Sequence, residues 1–260
     1  MDRKVGPALL GLVAAMLASV SSVLVLSPTH AQEGADLVAL HETAVYGMAV
    51  VRFRGGLGSG WLLAQDEGVR PVLVTNAHVA IRVGATLEAE LYGGAGQAAP
   101  SVRCRVAYVS RGIDFAVAAL LDDPPPSARP LRLEPGDVRR GERVILAGNP
   151  SPLTFQTTEG VVTGVTPDET RTDGMCGRSR NCLVVDAASF SGSSGGPAIN
   201  RSGRVVGMLW GGPTAVVEGA GRRPTGIVAN ASFAYLLHVR AIEAELAAIR
   251  ASAREGQSAD

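Results

Sequence analysis

Lysine is all but missing from this chain. Lys4 is the only one, so beyond the first few residues every cationic side chain is an arginine. An excess of either charge is missing as well. Lys+Arg and Asp+Glu number 24 each, for a formal net charge of +0, and no broad basic field points to nucleic acid or to an anionic membrane. Cysteine is limited to three residues and histidine to four, with no paired spacing of the metal-ligand type. No metal or other cofactor is therefore expected. After residue 26 no long apolar run returns, and nothing downstream reads as membrane-spanning. Long helical periodicity is scarce, and no strand–helix alternation precedes the last third of the chain, which argues against a parallel α/β sheet.

The N-terminus is a segment to set aside before reading the fold. Arg3 and Lys4 make a positive start, Ala8 to Leu26 is almost wholly apolar, and Pro28 breaks the run ahead of small residues. Residues 1–31 read as a secretory signal cleaved after Ala31; an uncleaved anchor is the alternative, since the run is nearly long enough to span a bilayer. The mature protein is then periplasmic or secreted, with no stable membrane association. In that oxidising setting Cys176 and Cys182, which bracket a short arginine-rich loop, are placed to close a disulfide. Cys104 alternates with Val102 and Val106 and reads as a buried core thiol.

What the chain has in abundance is glycine, 32 residues, between short runs of strand character. A short helix is expected over Ala35 to Glu42. Six runs follow: Val45 to Arg54, Gly60 to Ala64, Val72 to Thr75, Thr86 to Tyr92, Val102 to Ser110 and Phe115 to Leu121. Several alternate with period two. Asp122 to Ser127 holds three consecutive prolines and reads as a linker. Strands resume at Leu131 to Leu133, Arg143 to Ala147, Phe155 to Val165, Leu183 to Asp186, Pro197 to Asn200, Val205 to Trp210 and Thr225 to Ala229. A helix is expected from about Ser232 to Ala251, with Phe233, Leu236, Leu237, Ile242, Leu246 and Ile249 as its apolar stripe. The fold class is all-β, with antiparallel barrels at 32–121 and 131–230, a linker at 122–130, and a C-terminal helix and tail at 231–260.

Chemistry concentrates in three places. Asp186 to Gly212 presents a serine among glycines, Gly192-Ser193-Ser194-Gly195-Gly196, and a serine hydroxyl needs a base and a tight turn to become a nucleophile. Among the histidines, His30, His41 and His238 are poorly placed. His78 instead follows the apolar run Val72-Leu73-Val74-Thr75, with the Gly-rich hairpin Gly58 to Leu63 packed beneath it. Asp114 leads directly into the apolar run Phe115 to Ala118, where a carboxylate is costly unless paired, and an imidazole N–H is its natural partner. The order is His78, Asp114, Ser194. The same glycines also fit the Gly-X-Ser-X-Gly elbow of another hydrolase fold, but that order needs an acid and a histidine after the serine, leaving only Glu218 and His238.

With these residues in place, TNAHV around His78, DFAV at Asp114, GNP at Gly148 and SGSSGGP around Ser194 together resemble a chymotrypsin-fold serine protease. The Deg/HtrA-type and glutamyl endopeptidase-like branches are nearest in texture. The resemblance implies two six-stranded barrels with the site between them: His78 as general base, Asp114 as its orienter, Ser194 as nucleophile, and the backbone N–H groups of Gly192 and Ser194 as oxyanion hole. It also implies a specificity pocket with Ala188 at its base and Leu209, Trp210 and Gly211 as one wall, which pair with substrate as an added strand. No acid stands at that base, so a small to medium apolar residue is expected before the scissile bond. Ser193 replaces the aspartate that animal digestive members use for zymogen activation, and no PDZ domain is expected after the helix. Partners are protein or peptide substrates. The alternative is a catalytically weak or inactive module that binds proteins in a chaperone-like way.

Overall fold

The computed structural model describes residues 30–53, 55–167, 181–212, 214–218, 224–229 and 232–257. Residues 1–29 of the expected signal segment 1–31, and Cys176 of the expected disulfide, lie outside them. The compact body begins at Ala39. A helix, α1, covers His30–Gly47 and exceeds the expected Ala35 to Glu42 at both ends.

Alternation builds the first barrel. Its strands are β1 (Met48–Phe53), β2 (Gly56–Leu63), β3 (Val72–Thr75), β4 (Thr86–Leu91), β5 (Ser101–Val109) and β6 (Ala116–Leu120). A single helical turn, α2 (Ala77–Ala80), follows β3. In β5, Val102, Cys104 and Val106 are buried while Arg103 and Arg105 face solvent. Across the ladder Leu87 lies opposite Cys104, and Glu88 opposite Arg103, so apolar pairs fill one face and opposite charges the other. The strands close in the order β1-β2-β3-β6-β5-β4. Cys104 belongs to this core; burial, helped by the charge of Asp122, pushes its thiol up to about 12, which leaves it unreactive.

The second barrel is made of β7 (Arg143–Gly148), β8 (Gln156–Pro167), β9 (Asn181–Val185), β10 (Pro197–Ile199), β11 (Val205–Gly211) and a strand not expected from the sequence, β14 (Ala234–His238). They close as β9-β14-β11-β10-β7-β8 around Val144, Leu146, Leu183, Val206 and Leu236. Two expectations are corrected here. Thr225 to Ala229 is not a barrel strand: it lies within β13 (Pro224–Ala229), which pairs with β12 (Thr214–Glu218) as a separate two-stranded sheet. The final helix, α3, begins at Val239 and runs to Gln257, so Leu236 and Leu237 belong to β14 and not to its stripe. A five-residue apolar run satisfies either period, and pairing with β9 and β11 decides it.

The linker is not free. Leu131 N donates to Leu62 O and Ala64 N to Leu131 O, each at 2.8 Å, which seats its end on β2. Leu131 to Leu133 thus makes isolated parallel bridges, one to each barrel, in place of a strand of its own. Helix α3 packs on β11 and β14 and buries Ile242 and Leu246. Its Glu245 reaches the first barrel, accepting from Tyr108 and, at 2.8 Å, from Ser110 Oγ. No described helix is long and apolar enough to cross a membrane.

Candidate active site

Strand register brings the histidine and the aspartate together. Thr75 at the end of β3 lies opposite Ala116 at the start of β6. His78 comes three residues after the one and Asp114 two before the other, so a short helical turn and a short loop converge at one end of the barrel. Ser110 Oγ, held by Glu245, accepts from Gly112 N and Ile113 N at 3.1 Å each and shapes the loop that delivers Asp114.

The Asp114 carboxylate receives two bonds from one residue: His78 N to Oδ1 at 3.0 Å and His78 Nδ1 to Oδ2 at 2.6 Å. Asn76 sits at the N-cap of α2 but makes no side-chain cap bond, so Asp114 satisfies a first-turn N–H in its place. Asn76 Nδ2 instead donates to Asp114 O at 2.8 Å, which fixes the backbone on that side. A carboxylate only accepts, so the proton of the neutral imidazole resides on Nδ1 and Nε2 keeps its lone pair. The Asp114 side chain is 15% exposed and that of His78 51%, a half-buried carboxylate behind an accessible imidazole.

The serine rests on a turn whose backbone only glycine permits at two points. Gly192 has φ +97°, and a Cβ there would lie 2.4 Å from Asn149 O; Gly195 has φ +90°, and a Cβ would lie 2.1 Å from Ser59 O. Gly195 N and Leu209 N tie the turn to β11 through Leu209 O and Gly196 O, each at 2.8 Å. Among the described residues, the N–H groups of Gly192 and Ser194 donate to no protein acceptor. They are two unspent donors beside one hydroxyl.

Gly58 of β2 stands between the two halves. A Cβ on it would meet both methyls of Val79, which adjoins His78, and would come within 3.5 Å of Ser194 O. The stretch expected to form a hairpin beneath His78 is a barrel strand, and its Gly58 packs on Val79, the residue after His78. Ser194 Oγ itself donates to Trp210 O at 3.3 Å and not to His78. The bulge between Leu209 and Gly211 turns that carbonyl toward the serine.

Beside the turn lies a cavity of about 360 Å³ whose lining includes Ala188, Phe190, Ser193, Leu209, Pro152 and Leu153 and carries no ionisable side chain. Of the four residues expected to bind substrate, Ala188 and Leu209 line it, whereas Trp210 and Gly211 do not. The N–H and C=O of Leu209 are both engaged by the serine's turn, so its backbone is not free to pair with an added strand, and it is the side chain that faces the cavity. Phe190 and Leu153, each 57% exposed, border the cavity and were not singled out from the sequence. The signal was present: GNP at Gly148 and the prolines after it mark this loop.

Two of the remaining histidines, His41 and His238, have structural partners. His41 Nδ1 and Thr157 Oγ1 are hydrogen-bonded at 2.7 Å. His238, 3% exposed, accepts from Arg240 N at 3.1 Å and caps α3. Among the described residues no group of three or more His, Cys, Asp or Glu side chains is arranged to hold a metal ion.

Comparison with known proteins agrees with this fold. The model of the trypsin-like peptidase domain family matches residues 58–208. The serine protease Do-like HtrA of Bacillus subtilis (strain 168) is 30% identical over 155 residues, 59% of this chain and 33% of that protein. Serine protease HTRA4 of Mus musculus is 31% identical over 153 residues, 58% of this chain and 29% of that protein. The matched region therefore spans about a third of the length of these curated relatives. Among solved structures, the Rv3671c protease from M. tuberculosis shares the fold at 22% identity. Its inactive form has a TM-score of 0.59, covering 86% of this chain and 97% of that one, and its active form 0.58, with 85% and 87%.

Proposed function

The chain belongs to the trypsin-like peptidase family, and from that premise we propose that it is a serine endopeptidase acting through an acyl-enzyme on Ser194. One observation carries the reading: the Asp114–His78 pair, which leaves Nε2 open, stands across Gly58 from a serine flanked by two unspent N–H donors. In the first step Ser194 Oγ attacks the scissile carbonyl carbon, and His78 Nε2 takes the hydroxyl proton. Asp114 holds the ring and offsets the positive charge that His78 gains. The oxyanion is received by the N–H groups of Gly192 and Ser194. As the C–N bond breaks, His78 returns the proton to the departing amine and an ester remains on Ser194. Water, deprotonated by His78, then attacks that ester, releasing the carboxylic acid product and restoring the serine hydroxyl.

The apolar cavity takes the side chain before the scissile bond. Without an acid to pair with Lys or Arg, or a base to pair with Glu, a small to medium apolar residue fits it best. Digestion of a peptide library reads this directly: cleavage chiefly after Glu, Arg or Lys overturns it. Export to the periplasm or beyond belongs to the same reading, as does a Cys176–Cys182 disulfide. Secreted protein whose first residue is Gln32, and a mass two hydrogens below that of the reduced chain, are the expected results.

The bond from Ser194 Oγ to Trp210 O favours a second reading, a weakly catalytic protein-binding module, because a hydroxyl committed to a carbonyl is not yet aimed at a base. A fluorophosphonate probe separates the two. Labelling of the folded protein that disappears with Ser194→Ala supports the endopeptidase, and absence of labelling on folded wild-type protein supports the binding module.

A further inference from the structure

The turn that carries Ser194 belongs to the second barrel, yet much of what holds it comes from the first. Each carbonyl from Ser191 to Ser194 has a partner. Ser191 O accepts from Ser151 N at 3.1 Å and Ser193 O from Gly196 N at 3.0 Å, both within the second barrel. Ser194 O accepts from Ser59 N at 2.8 Å, and Gly192 O from Ser59 Oγ at 2.7 Å. Half of these restraints therefore come from one residue of β2.

The Ser59 hydroxyl has no freedom in this. It is fully buried, and both its lone pairs are taken, by Asn149 N at 2.9 Å and Asn149 Nδ2 at 3.0 Å. A hydroxyl has one proton and two lone pairs, so with both lone pairs occupied its proton is directed to Gly192 O. Asn149 is equally constrained. Its Nδ2 also donates to Ala49 O at 2.9 Å, and its Oδ1 accepts from Phe155 N at 2.8 Å, where Phe155 has φ +56° and packs its ring on Tyr92. On the other side, Ser59 O accepts from Thr75 Oγ1 at 2.6 Å, three residues before His78. A continuous chain of hydrogen bonds through Ser59, buried except where it meets half-buried Gly192, thus links the strand end behind the base to the peptide between the Gly192 and Ser194 N–H groups.

We propose that Ser59, oriented by Asn149, is a positioning residue that fixes the nucleophile turn relative to His78 and keeps the two N–H donors aimed at one point. This inference rests on the endopeptidase reading. It acts on the transition state more than on ground-state binding, because the apolar cavity is lined by neither residue.

The test is Ser59→Ala, which removes the hydroxyl and keeps the backbone bond to Ser194 O. The expected result is a roughly 10- to 100-fold fall in kcat, as for a small misplacement of reacting groups. KM should stay within about twofold of wild type, and fluorophosphonate labelling should slow in parallel with kcat. Rates are referred to folded protein by near-ultraviolet circular dichroism. Asn149→Ala keeps the Ser59 hydroxyl and the bond it accepts from Asn149 N but frees one of its two lone pairs, so it should show a smaller loss of the same kind; it carries the test if Ser59→Ala does not fold. A lowered melting temperature with unchanged labelling rate, or a raised KM with unchanged kcat, overturns the proposal and leaves the endopeptidase reading intact. Failure of folded wild-type protein to label overturns both.

Discussion

In the first barrel the proposed base and its orienter leave the ends of regular strands, whereas in the second the proposed nucleophile sits on a turn with two left-handed glycines. The first has a single register shift, between Val106 and Tyr108. The second has three, at Val184/Val185, Ala198/Ile199 and Leu209/Gly211. On the endopeptidase reading the two regions have different tasks. A base and its orienter need only their side chains placed, which an unbroken ladder does well. An oxyanion hole is made of backbone N–H groups, and a regular ladder would consume them. The two unspent donors, Gly192 N and Ser194 N, stand in the turn between β9 and β10, outside every ladder, and that turn borrows rigidity from Ser59 in the first barrel.

This comparison can be broken or sharpened by experiment. The largest effect is expected from Ser194→Ala, a fall of about 10⁶ in kcat with complete loss of fluorophosphonate labelling; residual labelling would assign the nucleophile elsewhere. Asp114→Asn should cost about 10⁴ in kcat, because an amide no longer dictates which ring nitrogen carries the proton. The fold should survive in that variant, since Asn76 binds the Asp114 backbone and not its side chain. A smaller penalty, in stability, is expected from Gly195→Ala, where a Cβ lies 2.1 Å from Ser59 O at a left-handed φ. Denaturant unfolding should show a loss of at least about 2 kcal/mol. An equally stable Gly195→Ala protein would mean that the turn is looser than its geometry indicates.

The smallest effect separates the barrels by pH. Burial, then the neighbouring Arg240 charge, holds His238 below its usual value of 6.5, with Asp137 opposing. The unfolded chain thus binds the extra proton first. Stability from this cap is complete above about 6.5 and is lost as pH falls through the lowered value. In the first barrel, hydrogen bonds from the Arg103 side chain and then from its backbone N–H bring Asp122 from 3.8 down to about 2. Its contribution is present above 3.8 and disappears only as pH approaches 2. Amide exchange between pH 7 and 5 should therefore weaken β11 and β14 while β5 and β6 hold. Simultaneous loss in both barrels would show that they open as one unit.

The first barrel was the more legible in the sequence for the same reason. Where Val102, Cys104 and Val106 alternate with arginines, burial follows the letters, and a charged residue entering an apolar strand announces Asp114. The second barrel hid its sixth strand. Ala234 to His238 is too short and too apolar to declare a period, so the run was absorbed into the following helix. Nothing local in the sequence reveals the bulge between Leu209 and Gly211. Ser59 was read only as part of a glycine-rich stretch, although its partners Asn149 and Gly192 lie 90 and 133 residues away.

Composition, strand periodicity and the spacing of three short motifs by themselves determined the fold class, the placing of His78 and Asp114 at strand ends, and the glycine turn at Ser194. Each is a local property: alternation sets which face is buried, and only glycine enters the left-handed turn. The tertiary structure alone decided which strand closes the second barrel, which backbone donors remain unspent and where the Ser59 proton points. Those outcomes depend on groups far apart in sequence competing for the same hydrogen bonds in a buried space, where every polar atom must find a partner or bear the cost of leaving water.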